Sequence, residues 1–242
     1  MCKKTPLINA LTKYVDVIYK RKQNESVRWL AIAGLVLVSL SGTAIAQDRL
    51  DAGGLTFKDF ATADHGASFD RGDPMLPEGP GPARARVLSI DNNGSFARIR
   101  FPRVKLDVSL PLGWQAFEEA ERGIAYNADM SYRLLAWPLD FPFEGVRDAE
   151  HYAATKGGTI LARHPGAKVQ AHKLTDGSFL IVYENIKPTR ADREPRTVFD
   201  LVIPNPKDAK AGILMTLGVP GSQAERGLRL MALIKSSIKV DW

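Results

Sequence analysis

From Ala83 onward the chain alternates apolar and polar side chains with a period of two, which restricts it to folds built on half-buried strands. Val104, Leu106, Val108 and Leu110 share one face of such a strand, and Lys105, Asp107 and Ser109 take the other. Arg86 to Ile90 and Phe96 to Phe101 form a pair around Asp91-Asn92-Asn93-Gly94, where Asn-Gly suits a tight hairpin because both residues tolerate positive φ. Ile124 to Asn127 and Tyr132 to Trp137 read as the next pair across Ala128-Asp129-Met130. The second of these is apolar on both faces, so it belongs inside a sheet. Lys168 to Leu174 and Phe179 to Asn185 make a hairpin over Thr175-Asp176-Gly177-Ser178, and Val198 to Ile203 and Ile213 to Val219 continue the sheet.

Two stretches break the alternation with helical spacing. One begins near Gly145, with Val146, Ala149, Ala153 and Ile160 on roughly one face, Asp148 and Glu150 near its positive end, and Gly157-Gly158 expected to end or kink it. The other runs from Ser222 to Ile238 and puts Ala224, Leu228, Met231, Ile234 and Ile238 on one stripe. Runs of strands broken by one helix and closed by another predict an α+β fold, a mainly antiparallel sheet with a mid-chain helix and a C-terminal helix packed on it.

The turn Leu110-Pro111-Leu112-Gly113-Trp114, the mid-chain helix and the closing Leu233-Ile234-Lys235-Ser236-Ser237-Ile238 resemble the PsbP/DcrB-like group of α/β/α sandwiches over about residues 104–242. The resemblance implies a small non-catalytic accessory protein, an assembly factor or binding subunit with no reaction shared across the group. Two features depart from it: the chain has no lipidation cysteine, and the Arg86 to Phe101 hairpin and the segment before it are additional.

Ahead of this body, Trp29 to Leu40 is an apolar run preceded by Lys and Arg and closed by Ala44-Ile45-Ala46. This is the pattern of a signal peptide over residues 1–46, cleaved between Ala46 and Gln47. Ser39, Ser41, Gly42 and Thr43 cut the run short of the ~20 residues a membrane span needs, and an uncleaved N-terminal anchor is the alternative. Translation from Met1 and an alternative start at Val27 both remain open. Residues 47–82 carry Gly53-Gly54, Asp73-Pro74 and Gly79-Pro80-Gly81-Pro82. They read as a flexible Gly/Pro-rich linker in which Leu55 to Phe60 could add an edge strand, or as a segment that orders on a partner. A single α+β domain then fills residues 83–242, and its protease-resistant part is expected to begin near Ala83.

Charge and cysteine usage narrow the function. The formal net charge of +6 comes mostly from the first 46 residues, which hold seven basic side chains against two acidic ones. The remainder has 26 basic and 25 acidic residues, too balanced for the clustered cations of a nucleic-acid binder. Cys2 is the only cysteine, so the chain after Ala46 offers no disulfide, thiol nucleophile or thiolate ligand. A soluble periplasmic protein is expected.

No residue pattern selects a reaction. His65, His151, His164 and His172 lack the spacing that puts two imidazoles on one helical face, so neither a metal nor a cofactor is expected. His151, near Asp148 and Glu144, is the one place for an unrecognised hydrolase site. Glu118, Glu119 and Glu121 read as a solvated acidic loop, with paired glycosidase carboxylates as the alternative. Trp114, Phe117, Tyr126, Tyr132 and Trp137 are core aromatics or the lining of a cleft, with Trp114 the one expected to stand out of the core.

The preferred site is the segment between Asn185 and Thr197, where Lys187, Arg190, Arg193 and Arg196 gather around only Asp192 and Glu194. It is longer than an ordinary hairpin loop, and its arginine forks suit carboxylates or phosphates. With Trp114 these residues form the expected partner-binding set, the partner being an envelope protein or anionic lipid headgroups. Replacing Arg190, Arg193 and Arg196 together is expected to leave the fold intact.

Overall fold

The structure is a computed structural model that describes residues 50–62, 83–190 and 192–242. Among these residues, twelve strands make two antiparallel sheets. The larger has the order β1 (Ala83–Arg84), β5 (Gln115–Glu119), β6 (Arg122–Tyr126), β7 (Arg133–Asp140), β11 (Asp208–Pro220), β10 (Arg196–Asn205), β9 (Phe179–Ile186) and β8 (Lys168–Lys173). The smaller has the order β12 (Lys239–Val240), β4 (Leu106–Pro111), β3 (Phe96–Phe101) and β2 (Arg86–Ile90). Helix α1 (Ala149–Arg163) lies against one face of the large sheet, and helix α2 (Ala224–Ser237) with the small sheet lies against the other. This is the α+β arrangement expected, with β7 inside its sheet.

The interior strands are apolar throughout because both faces are covered. Along β9, Phe179, Ile181 and Tyr183 join Tyr152 and Ala153 of α1 in one core. Leu180 and Val182 point the other way, into the core shared by Ile99, Leu106, Leu201, Met215, Leu230 and Ile234. Each fully buried Leu or Ile in these layers contributes about 1.5–3 kcal/mol relative to exposure.

Several local expectations are corrected. Gly157-Gly158 neither ends nor kinks α1, which starts only at Ala149, after the Asp148 carboxylate has capped the His151 amide at 2.8 Å. A Cβ at Gly157 would stand 3.1 Å from Val169 Cγ1, a tight approach of the helix to β8. Of the Asn-Gly pair only Gly94 takes positive φ, in a loop closed by Asp91 N donating to Phe96 O. The buried side of α2 runs through Gly227, Leu230, Met231, Ala232 and Ile234, turned slightly from the expected stripe, and β12 follows it onto β4.

The largest miss is β5. Its acids suggested a solvated loop, yet Glu118 is fully buried and accepts hydrogen bonds from the backbone of Arg103 (2.9 Å) and Val104 (3.2 Å). Burial raises its carboxyl above the ordinary range against the pull of those two amides.

Part of the expected linker is packed on the body. Leu50–Thr62 forms a strap with Leu50, Phe57 and Phe60 against the main core. Phe57–Phe60 is a 3₁₀ turn, not an edge strand. Phe57 meets the Phe96 ring at 5.2 Å, Arg226 stacks over Phe60 at 4.5 Å, and Thr62 N donates to Leu112 O. Residues 1–49, including the expected cleavage site at Ala46 and Gln47, residues 63–82 and residue 191 lie outside the described residues. Among the described residues no helix is long and apolar enough to cross a membrane.

Candidate partner-binding loop

The loop between β9 and β10 is fixed by its two acids. Asp192 Oδ2 accepts from the amide (3.0 Å) and hydroxyl (2.6 Å) of Thr189, and its Oδ1 accepts from Arg133 and Arg196, both at 2.8 Å. Burial pushes this carboxyl up, but the Thr189 bonds and the two guanidiniums outweigh it and hold the group below the usual range. Glu194 accepts from the hydroxyl (2.7 Å) and amide (3.0 Å) of Ser222 ahead of α2, and the Ser222 hydroxyl leads in lowering its pKa. Pro195 O accepts from Gly221 N at 2.8 Å. The loop is thus bolted to the β6–β7 turn on one side and to the start of α2 on the other.

The cations divide accordingly. Lys187, Arg190 and Arg193 are exposed and have no hydrogen bond or ion pair among the described residues. Arg196 is buried, bonding Asp192 and the Ser131 carbonyl (2.7 Å), so it belongs to the scaffold and cannot reach a partner. Trp114 is only 1% exposed and sits 6.3 Å from the Tyr132 ring. The Leu110 to Trp114 reversal buries the indole in the main core, which corrects its place in the expected binding set.

The enzyme alternative gains no geometry. The His151 imidazole accepts from Arg147 N through Nδ1 at 3.2 Å, and Asp148 is occupied with the His151 amide, not the ring. No hydroxyl or carboxylate of the described residues bonds the imidazole. No group of three or more metal-ligating side chains occurs among the described residues.

Two features escaped the sequence reading. Asp192 as the centre of the loop was foreshadowed by Thr189-x-x-Asp192, a spacing that closes local turns, whereas Arg133 carried no signal of its part in the pair. Asp200 is buried in β10, accepting from Tyr183 OH (3.0 Å) and Thr216 Oγ1 (2.5 Å) beneath α1. Its only mark in the sequence is a single acid inside an apolar run.

No family model and no curated protein matches the chain. Solved structures do. The chain is similar to the Ran-binding protein Mog1p of Saccharomyces cerevisiae, at 12% identity and a TM-score of 0.43 over 63% of this chain and 96% of that one. It is also similar to the cyanobacterial PsbP (CyanoP) of Synechocystis sp. PCC 6803, at 15% identity and a TM-score of 0.43 over 69% of this chain and 99% of that one. PsbP is the group that the Leu110 to Trp114 turn and the closing residues resemble.

Proposed function

We propose that the protein is an exported, non-catalytic accessory module of the periplasm that binds an anionic partner through the β9–β10 loop. The observation that carries this reading is the inward use of Asp192 and Glu194. Asp192 is paired with Arg133 and Arg196 and Glu194 is hydrogen-bonded to Ser222, which leaves Lys187, Arg190 and Arg193 as exposed cations on a loop pinned at its two acids. A fixed loop loses less entropy on binding than one that must be ordered by its partner. Export rests on the residues 1–46 pattern.

The test is association of the protein, as its own host processes it, with the envelope fraction at low and high salt. The wild type is expected to sediment with the envelope and to be released by salt. Lys187→Ser/Arg190→Ser/Arg193→Ser is expected to fold normally and to lose that association. If the triple variant still sediments at unchanged affinity, the loop is only a connector.

A further inference from the structure

The exposed cations of the loop are not alone at their end of the large sheet. Lys168 opens β8 opposite Glu184, and Arg163 closes α1. Asn185, at φ 59, ties these segments together by donating from Nδ2 to Gly166 O at 2.9 Å, one residue before β9 ends and the loop begins. Arg163 and Lys168 are exposed and, as with the loop cations, their side chains make no hydrogen bond or ion pair among the described residues. Five exposed cations from three segments therefore lie at this end with two acids, Glu184 and the half-buried Glu194, while Asp129 and Glu225 stand on the β6–β7 turn and at the start of α2, the two segments that hold the loop.

We propose that this end of the molecule seats on the headgroup layer of an anionic bilayer. The inference rests on the loop reading above and names its partner. Three observations favour a charged plane over a discrete acidic ligand. The cations come from separate segments and share no carboxylate between them. They include lysines as well as arginine forks, as suits diffuse attraction more than bidentate grip. A concavity of about 210 Å³ by Asp176, Lys235 and Trp242 lies at the opposite end of the β8–β9 hairpin. Basic side chains gathered at one end are what electrostatic contact with anionic lipid needs.

Sedimentation with vesicles of phosphatidylcholine alone, and of phosphatidylcholine with phosphatidylglycerol, tests this on the protein as its host processes it. The expected result is binding that requires phosphatidylglycerol and fades as salt shortens the screening length from ~10 Å at 0.1 M toward ~3 Å at 1 M. Lys187→Ser/Arg190→Ser/Arg193→Ser should weaken it about a hundredfold, and Arg163→Ser/Lys168→Ser about thirtyfold. Lys207→Ser/Lys210→Ser, in the β10–β11 turn and the start of β11 at the far end, should leave it unchanged. Equal binding to both vesicles, or an equal loss in the far-end variant, overturns the proposal. Absence of vesicle binding also overturns it; if envelope association still falls in the loop variant, the partner is an acidic protein and the loop reading stands, and if it does not, both readings fall.

Discussion

Arg193 and Arg196 stand three positions apart in one basic cluster and do opposite things. Arg193 is exposed, so Arg193→Ser should change stability by no more than about 0.5 kcal/mol. Arg196 is one of two guanidiniums on the buried Asp192 carboxylate and also donates to the Ser131 carbonyl, so Arg196→Ser, which loses both bonds while Arg133 stays on Asp192, should cost about 1–3 kcal/mol in denaturant unfolding. Equal midpoints for the two variants would refute this division. The original grouping of both in one binding set shows what sequence cannot convey: charge type is visible, but which arginine has a partner depends on Arg133 and Ser131, more than sixty residues away in the chain. Asp200 carries a pH prediction of the opposite sign to Asp192. Burial raises its carboxyl above the usual range, against the pull of Lys156 and of the Thr216 and Tyr183 hydroxyls. Burial and the Asp200 carboxylate in turn push the Tyr183 and Tyr152 phenols up. A group with a raised folded pKa stabilises below the unfolded value and loses that contribution as pH rises through the folded one. Asp200→Asn, which keeps an acceptor for the hydroxyls, should therefore be more stable than wild type at neutral pH, with the gap closing below about pH 4. Thermal midpoints across that range would contradict the account if the variant were the less stable at pH 7.

The strap of residues 50–62 is the element whose docking most depends on one position. Gly113 takes φ 86, and a Cβ there would stand 1.8 Å from the Thr62 hydroxyl. Gly113→Ala should therefore detach the strap's end while leaving the two sheets intact, at a cost of roughly 1–3 kcal/mol from the strained backbone alone. Hydrogen exchange should show faster exchange at Thr62 N, which donates to Leu112 O, with unchanged protection in β9 and β10. Unchanged protection at Thr62 would mean that the strap tolerates the methyl and is not gated by this turn. The strands were the legible elements because alternation reports burial directly: β3 was bounded to the residue, and β9 was found from its unbroken apolar run. The strap and β5 were illegible for related reasons. Leu50, Phe57 and Phe60 are apolar residues amid turn formers, and they become core only because α2 and β4 supply the other side. Glu118 looked solvated because its backbone donors come from the turn before β4.

At the scale of the molecule, the layers explain why the loop can carry charge outward. With α1 on one face of the large sheet and α2 with the small sheet on the other, the sheet's faces are spent on cores and its ends remain for contact. The order of the layers was readable from strand runs interrupted by two helices, whereas the split into two sheets was not, since β12 is two residues long and joins β4 only after α2 has crossed the core. The central claim is that partner contact occurs at the β9–β10 end. Because Cys2 is the only cysteine, Cys2→Ser with a single new cysteine gives a clean attachment point for a photo-crosslinker. The measurement is crosslinking in the native envelope from Arg193→Cys compared with Lys207→Cys at the opposite end of the sheet. The account predicts salt-sensitive adducts, to lipid or protein, from position 193 and none from position 207; adducts from 207 alone, or equally from both, would contradict it.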